Sequence, residues 1–111
     1  MLNSFDLPRK PTTIPTVRRA VVDEAVIAEA GETQRVDGYD YFPPETVNWD
    51  LLEPTDRTSV CPWKGVASYY DVVVNGQRMP AAAWSYKTPS DAAGHIKGHV
   101  AFWRGVTVVT S

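Results

Sequence analysis

Cysteine occurs once, at Cys61, so the chain cannot close an internal disulfide. Histidine is nearly as scarce. His95 and His99 have the i, i+4 spacing of a helical zinc pair, but Gly98 and the strand-like run Val100–Trp103 oppose a helix through both. No metal and no cofactor are expected. No apolar run approaches the length of a membrane span. Near the N-terminus, Pro8, Arg9, Lys10 and Pro11 interrupt the stretch where a signal peptide needs its apolar core, so a cytoplasmic protein is expected. No basic run is dense enough for nucleic acid. No Walker-type glycine pattern precedes Lys64-Gly65.

What the chain does have is turn formers and aromatics. Nine prolines, seven glycines and twelve aromatic residues in 111 positions favour short strands and turns over long helices. A chain of this length makes one core, without staples. Charge is uneven: residues 1–19 carry four Lys/Arg against one acid, residues 20–56 one against ten, and residues 57–111 six against two. The acidic middle is expected to fold over the basic half.

Residues 1–16, with Pro8, Pro11 and Pro15, read as an extended N-terminal arm, and residues 17–111 as a single β domain. Val17–Val22 and Ala25–Ala30 flank Asp23-Glu24 as a hairpin, and 31–36 gives another short strand. Tyr39–Pro44 is extended because each proline excludes helix from its predecessor. Residues 45–57 read as a loop or one helical turn anchored by Trp49, Leu51 and Leu52. Val66–Val74 and Gln77–Trp84 flank Asn75-Gly76, the strongest hairpin signal in the chain, with Pro80 placing an edge or bulge in the return strand. Ser90 or Asp91 caps a short helical piece, and 99–110 forms a closing hairpin over Arg104-Gly105. The expectation is an all-β fold of about seven strands with one or two short helical pieces.

The candidate chemistry centres on Cys61-Pro62-Trp63-Lys64-Gly65. An ammonium near Cys61 favours the nucleophilic thiolate, so Cys61 and Lys64 are the candidate catalytic pair. Against this, a lone cysteine also packs as a small hydrophobe. Lys64 can meet an anion, and Gly65 allows close backbone approach. Trp49, Trp63, Trp84, Trp103, Tyr69, Tyr70 and Tyr86 can line a concave site or fill a core. In a strand, Tyr69 and Tyr70 must face opposite sides. The acids Glu29, Asp50, Glu53 and Asp56 show no pairing in their spacing.

Five blocks carry a resemblance: Tyr41-Phe42-Pro43-Pro44, Leu51–Thr58, Cys61–Tyr69, Ala83-Trp84-Ser85-Tyr86 and Ile96–Phe102. In that order the chain resembles the bacterial and fungal family known as domain of unknown function 427. The resemblance runs from about Val17 to Val109. Relatives usually carry a serine after the acid at Glu29, where this chain has Ala30. It implies a β-tent, two antiparallel sheets meeting at an angle, as in methionine sulfoxide reductase B and the ligand-binding domain of cereblon. Those relatives hold zinc through paired Cys-x-x-Cys motifs, which this chain lacks. The family also carries a nucleotidyltransferase label, for which this chain has neither a glycine-serine motif nor paired metal-binding aspartates.

Three functions follow as expectations. The first is a small-molecule or peptide binding module, with Trp63, Lys64, Gly65, Tyr69, Trp84 and Tyr86 at its site. The second is an enzyme using Cys61 as nucleophile or redox thiol. The third is an interaction protein, a homodimer, whose N-terminal arm docks on a sheet edge.

Overall fold

The computed structural model describes residues 16–111; the expected N-terminal arm lies outside them apart from Thr16. Among the described residues nine strands follow in order: β1 (Arg18–Val22), β2 (Ala25–Ala30), β3 (Gln34–Val36), β4 (Tyr39–Tyr41), β5 (Leu52–Cys61), β6 (Gly65–Val74), β7 (Gln77–Tyr86), β8 (Val100–Phe102) and β9 (Thr107–Thr110). Helical structure is limited to short 3₁₀ turns, so the fold is all-β. The strands form three antiparallel sheets, ordered β2-β1-β9, β3-β4 and β5-β6-β7-β8, where two sheets were expected. The small β3-β4 sheet continues into β8, because Phe42 and Val100 exchange backbone hydrogen bonds of 2.8 and 2.9 Å.

The hairpins form where turn chemistry demands them. Asn75 and Gly76 both take positive φ, +51° and +80°, the geometry that matches the twist of the flanking strands. Asp37-Gly38, at +53° and +86°, makes an equivalent turn between β3 and β4 that the sequence reading passed over.

The four-stranded sheet is covered on both faces, and the two-residue period of its strands sorts the residues. Tyr70, Val72, Met79, Ala83 and Phe102 face the larger core, shared with Ala20, Ile27 and Phe42. Ala67, Trp84, Tyr86 and Ala101 face a second cluster, closed by Val36, Tyr41 and Ile96. Tyr69 and Tyr70 take opposite faces, as neighbouring strand residues must: Tyr70 is in the core and Tyr69 borders the second cluster.

Pro80 sits in a bulge, and β7 is an interior strand despite it. Between the pairs Tyr70↔Ala83 and Val72↔Met79, β6 has one residue, Asp71, while β7 has three, Pro80 to Ala82. Ala81 turns to φ +51° there, and its N–H donates to Asp71 Oδ1 at 2.8 Å.

Three expectations are corrected. Of residues 45–57, expected as a loop or one helical turn, 52–57 belong to the ten-residue strand Leu52–Cys61. β5 is the edge of its sheet and mostly exposed, so its polar composition hides the strand. Residues 99–110 do not form a hairpin: β8 pairs with β7, and β9 pairs with β1. Trp103 stays tied to β7 through its N–H on Ala82 O and its indole N–H on Ala81 O, and the chain then crosses to the other sheet. Finally, Ser90 precedes the Asp91–Ile96 turn without a side-chain cap, because its hydroxyl donates to Trp63 O instead.

Candidate functional site

Over the second face of the four-stranded sheet lies a hollow of about 140 Å³. Three adjacent strands deliver its rings. β6 contributes Tyr69, β7 contributes Trp84 and Tyr86, and Trp103 follows directly after β8. Tyr69 and Trp84 are register partners across the sheet. The β3-β4 hairpin lies over them and adds Tyr39 and Tyr41 from one face of β4, with Asp37 from its turn. Lys64, from the β5-β6 turn, completes the wall.

Trp84 is the hub. Tyr39 meets it edge-on at 4.9 Å, Trp103 at 5.2 Å and 68°, and Tyr41 edge-on at 6.2 Å, while Tyr69 is tilted at 6.3 Å. Edge-to-face packing of this kind satisfies the ring quadrupoles and fixes the rings in place. The Trp84 indole N–H donates to the Tyr41 hydroxyl at 3.1 Å, with both residues buried. Burial pushes the Tyr41 phenol above its ordinary pKa and the Tyr86 phenol up to about 12. Both hydroxyls therefore stay protonated at neutral pH.

Lys64 is only 6% exposed, an unusual place for an ammonium. Its Nζ donates to Asp37 Oδ2 and lies 5.5 Å from the Tyr86 ring centroid and 5.3 Å from that of Trp63. Burial is the strongest single influence on Lys64 and disfavours its charge, but the hydrogen bond to Asp37 and the charge interactions with Tyr41, Tyr86 and Cys61 together outweigh it, and the pKa sits above the ordinary lysine value. In return, the hydrogen bond from Lys64 holds Asp37 below the usual carboxylate range. The turn carrying Lys64 is itself clamped. Ser90 N–H donates to Lys64 O at 2.9 Å, and Ser90 Oγ donates to Trp63 O at 2.6 Å.

Of the residues expected at the site, Lys64, Tyr69, Trp84 and Tyr86 come together around the hollow. Trp63, Gly65 and Cys61 do not line it. Trp63 is exposed and reaches the site from outside, through its ring beside Lys64 Nζ and a side-chain hydrogen bond to Asp37. Gly65 takes φ +117°, and a Cβ there would meet Pro89 Cα and Thr88 O at 3.5 Å, so its backbone faces the 88–90 segment. Cys61 is half-buried at the end of β5 and packs on the second cluster.

The sequence reading missed Asp37, Tyr39 and Tyr41 and gave Trp103 no special place. The alternation Tyr39-Asp40-Tyr41 after Asp37-Gly38 carried the signal: a tight turn, then two rings on one face. Among the described residues no group of three His, Cys, Asp or Glu is placed to hold a metal ion. Among them, too, no helix is long and apolar enough to cross a membrane.

This geometry defines the class: an all-β protein carrying an aromatic hollow on one face of a four-stranded antiparallel sheet. Within it, the chain belongs to the family described as domain of unknown function (DUF427), whose model matches residues 15–110. The family inferred from the five sequence blocks is therefore the right one. Among curated proteins the chain finds no match.

Proposed function

We propose that the protein is a binding module for a small, flat ligand held in the hollow around Trp84. The observation that carries this is an open aromatic hollow with a charged wall: six rings line a volume that Lys64 and Asp37 border on one side. Aromatic lining with a few convergent polar groups is the usual composition of a small-molecule site. A cavity of about 150 Å³ accepts one benzene-sized ring, so the hollow admits a single ring or a head group of that size. Trp84 and its neighbours stack on the ring. Lys64 keeps donors beyond the one given to Asp37, and these meet a carbonyl or anionic group on the ligand.

Titration with benzyl alcohol, followed by tryptophan fluorescence and by ligand-observed NMR, tests the reading. Saturable binding is expected in the wild-type protein. It should weaken in Tyr39→Ala, which removes a partly exposed ring at the rim without opening the core. Equal, non-saturating signals in both proteins would overturn it.

A second reading, association of two copies through the open side of β5, is supported by a local apolar patch. Val60 is 74% and Val66 48% exposed, they are cross-strand partners, and Trp63 is exposed in the same hairpin. Sedimentation across a hundredfold concentration range tests it: a concentration-dependent dimer supports the reading, and a constant monomer removes it.

A further inference from the structure

A second and wider hollow, of about 400 Å³, adjoins the first, and Tyr39 and Trp103 line both. Its chemistry is different. Arg18 and Arg35 stand on its wall with Asp40 between them. The Asp40 carboxylate is nearly buried and takes Thr33 Oγ1 at 3.0 Å and Arg35 Nη1 at 3.1 Å, with Arg18 Nε at 3.4 Å. Arg35 Nη2 also donates to Gly38 O at 3.1 Å, which fixes the guanidinium at the mouth. One carboxylate cannot balance two guanidiniums, so the wall keeps an excess positive charge. A third guanidinium, Arg104, lies 4.2 Å from the centroid of the shared Trp103 ring. In the first hollow, by contrast, Lys64 and Asp37 cancel each other.

We propose that the ligand has two parts: one ring held around Trp84, and a carboxylate or phosphate arm that passes Tyr39 and Trp103 into the arginine-lined hollow. This rests on the ring-binding reading above and gives it a substrate class, small aromatic anions. Guanidinium is the group of choice for either anion, because its planar donors match two oxygens at once. Asp40 leaves unused N–H donors on both arginines, since each guanidinium carries five. The partial exposure of Arg18 and Arg35 keeps them accessible and keeps the effect salt-dependent.

The test compares four single-ring probes: benzyl alcohol, phenylacetate, benzyl phosphate and benzylamine, each titrated at low and at high salt. Phenylacetate or benzyl phosphate is expected to bind about three- to tenfold tighter than benzyl alcohol, as one or two partly exposed ion pairs allow. Benzylamine should bind more weakly than the alcohol. The anion advantage should shrink at high salt and be lost in Arg35→Gln, whose side chain is mostly exposed and whose folding is checked by its melting temperature. The better of the two anions identifies the arm. Equal binding of alcohol and anions, unchanged in Arg35→Gln, would overturn the two-part ligand while leaving the ring site standing. Failure of all four probes on folded protein would overturn both readings.

Discussion

Tyr41→Phe isolates one hydrogen bond inside the aromatic hollow. The substitution keeps the ring, its edge-on contact with Trp84 at 6.2 Å and its tilted contact with Tyr86 at 6.4 Å. It removes the acceptor of the Trp84 indole N–H, which lies 3.1 Å from the phenol oxygen. Tyr41 is 1% and Trp84 6% exposed, so water cannot readily replace that acceptor. A buried donor left unpaired costs about 1–3 kcal/mol. For a protein of this size each kcal/mol corresponds to roughly 4–8 °C in melting temperature. Trp84→Phe should cost about 2–4 kcal/mol, because it leaves a cavity as well as removing the donor. Once the donor is gone, Tyr41→Phe should add little. The coupling across the double-mutant cycle is therefore about 1–3 kcal/mol, read from urea unfolding with unchanged m-values. A Tyr41→Phe cost that is the same in the wild-type and the Trp84→Phe backgrounds would refute the account, because the hydroxyl would then act through some other partner.

Three further outcomes are expected. In the wild type the raised Lys64 pKa contributes stability that is present below the ordinary lysine value and lost as pH rises through the folded one. Asp37, held low, contributes above the usual carboxylate value and loses that contribution as pH falls through its folded one. In Asp37→Asn burial loses its strongest single opponent at Lys64, so the Lys64 pKa should fall, and stability should climb as pH rises through that lowered value toward the ordinary lysine one. Parallel pH profiles in urea midpoints would count against the pair. Gly65→Ala should cost about 1 kcal/mol, since φ +117° strains any side chain whatever room it has; an unchanged midpoint would show that the turn relaxes. Asp71→Ala should cost about 1–2 kcal/mol by freeing the Ala81 N–H, and Asp71→Asn should recover part of it. Equal losses in the two variants would place the effect in charge rather than in the bulge.

Much of this fold was legible because its turns are chemically explicit. Asn75-Gly76 and Asp23-Glu24 announce hairpins locally, and the prolines at 43 and 44 keep their predecessors extended, although Pro44 itself opens a short 3₁₀ turn. The family blocks were equally local. What stayed hidden depended on long-range pairing. β5 looks like loop because an edge strand need not alternate apolar and polar residues. β8 and β9 look like one hairpin, and only the pull of Trp103 on β7 separates them. At the site, the rings of β6 and β7 could be named from strand parity. Asp37 could not, since 27 residues separate it from Lys64 and only the folding of one hairpin over another sheet joins them. Trp63 misled for the opposite reason: its neighbour turns inward while it turns out.

The bulge at Pro80–Ala82 works like a reading frame. It adds two residues to β7 relative to β6, an even number, so the alternation of faces resumes in phase beyond it. Loss of one residue there would put β7 out of frame: Trp84 and Tyr86 would turn toward the Ile27 and Phe42 side, and Ala83 and Ser85 would face the hollow. Loss of two would shorten the strand yet leave every ring on its present side. The geometry of the aromatic site is thus set by an even count several residues upstream, at positions that contribute no ring to it.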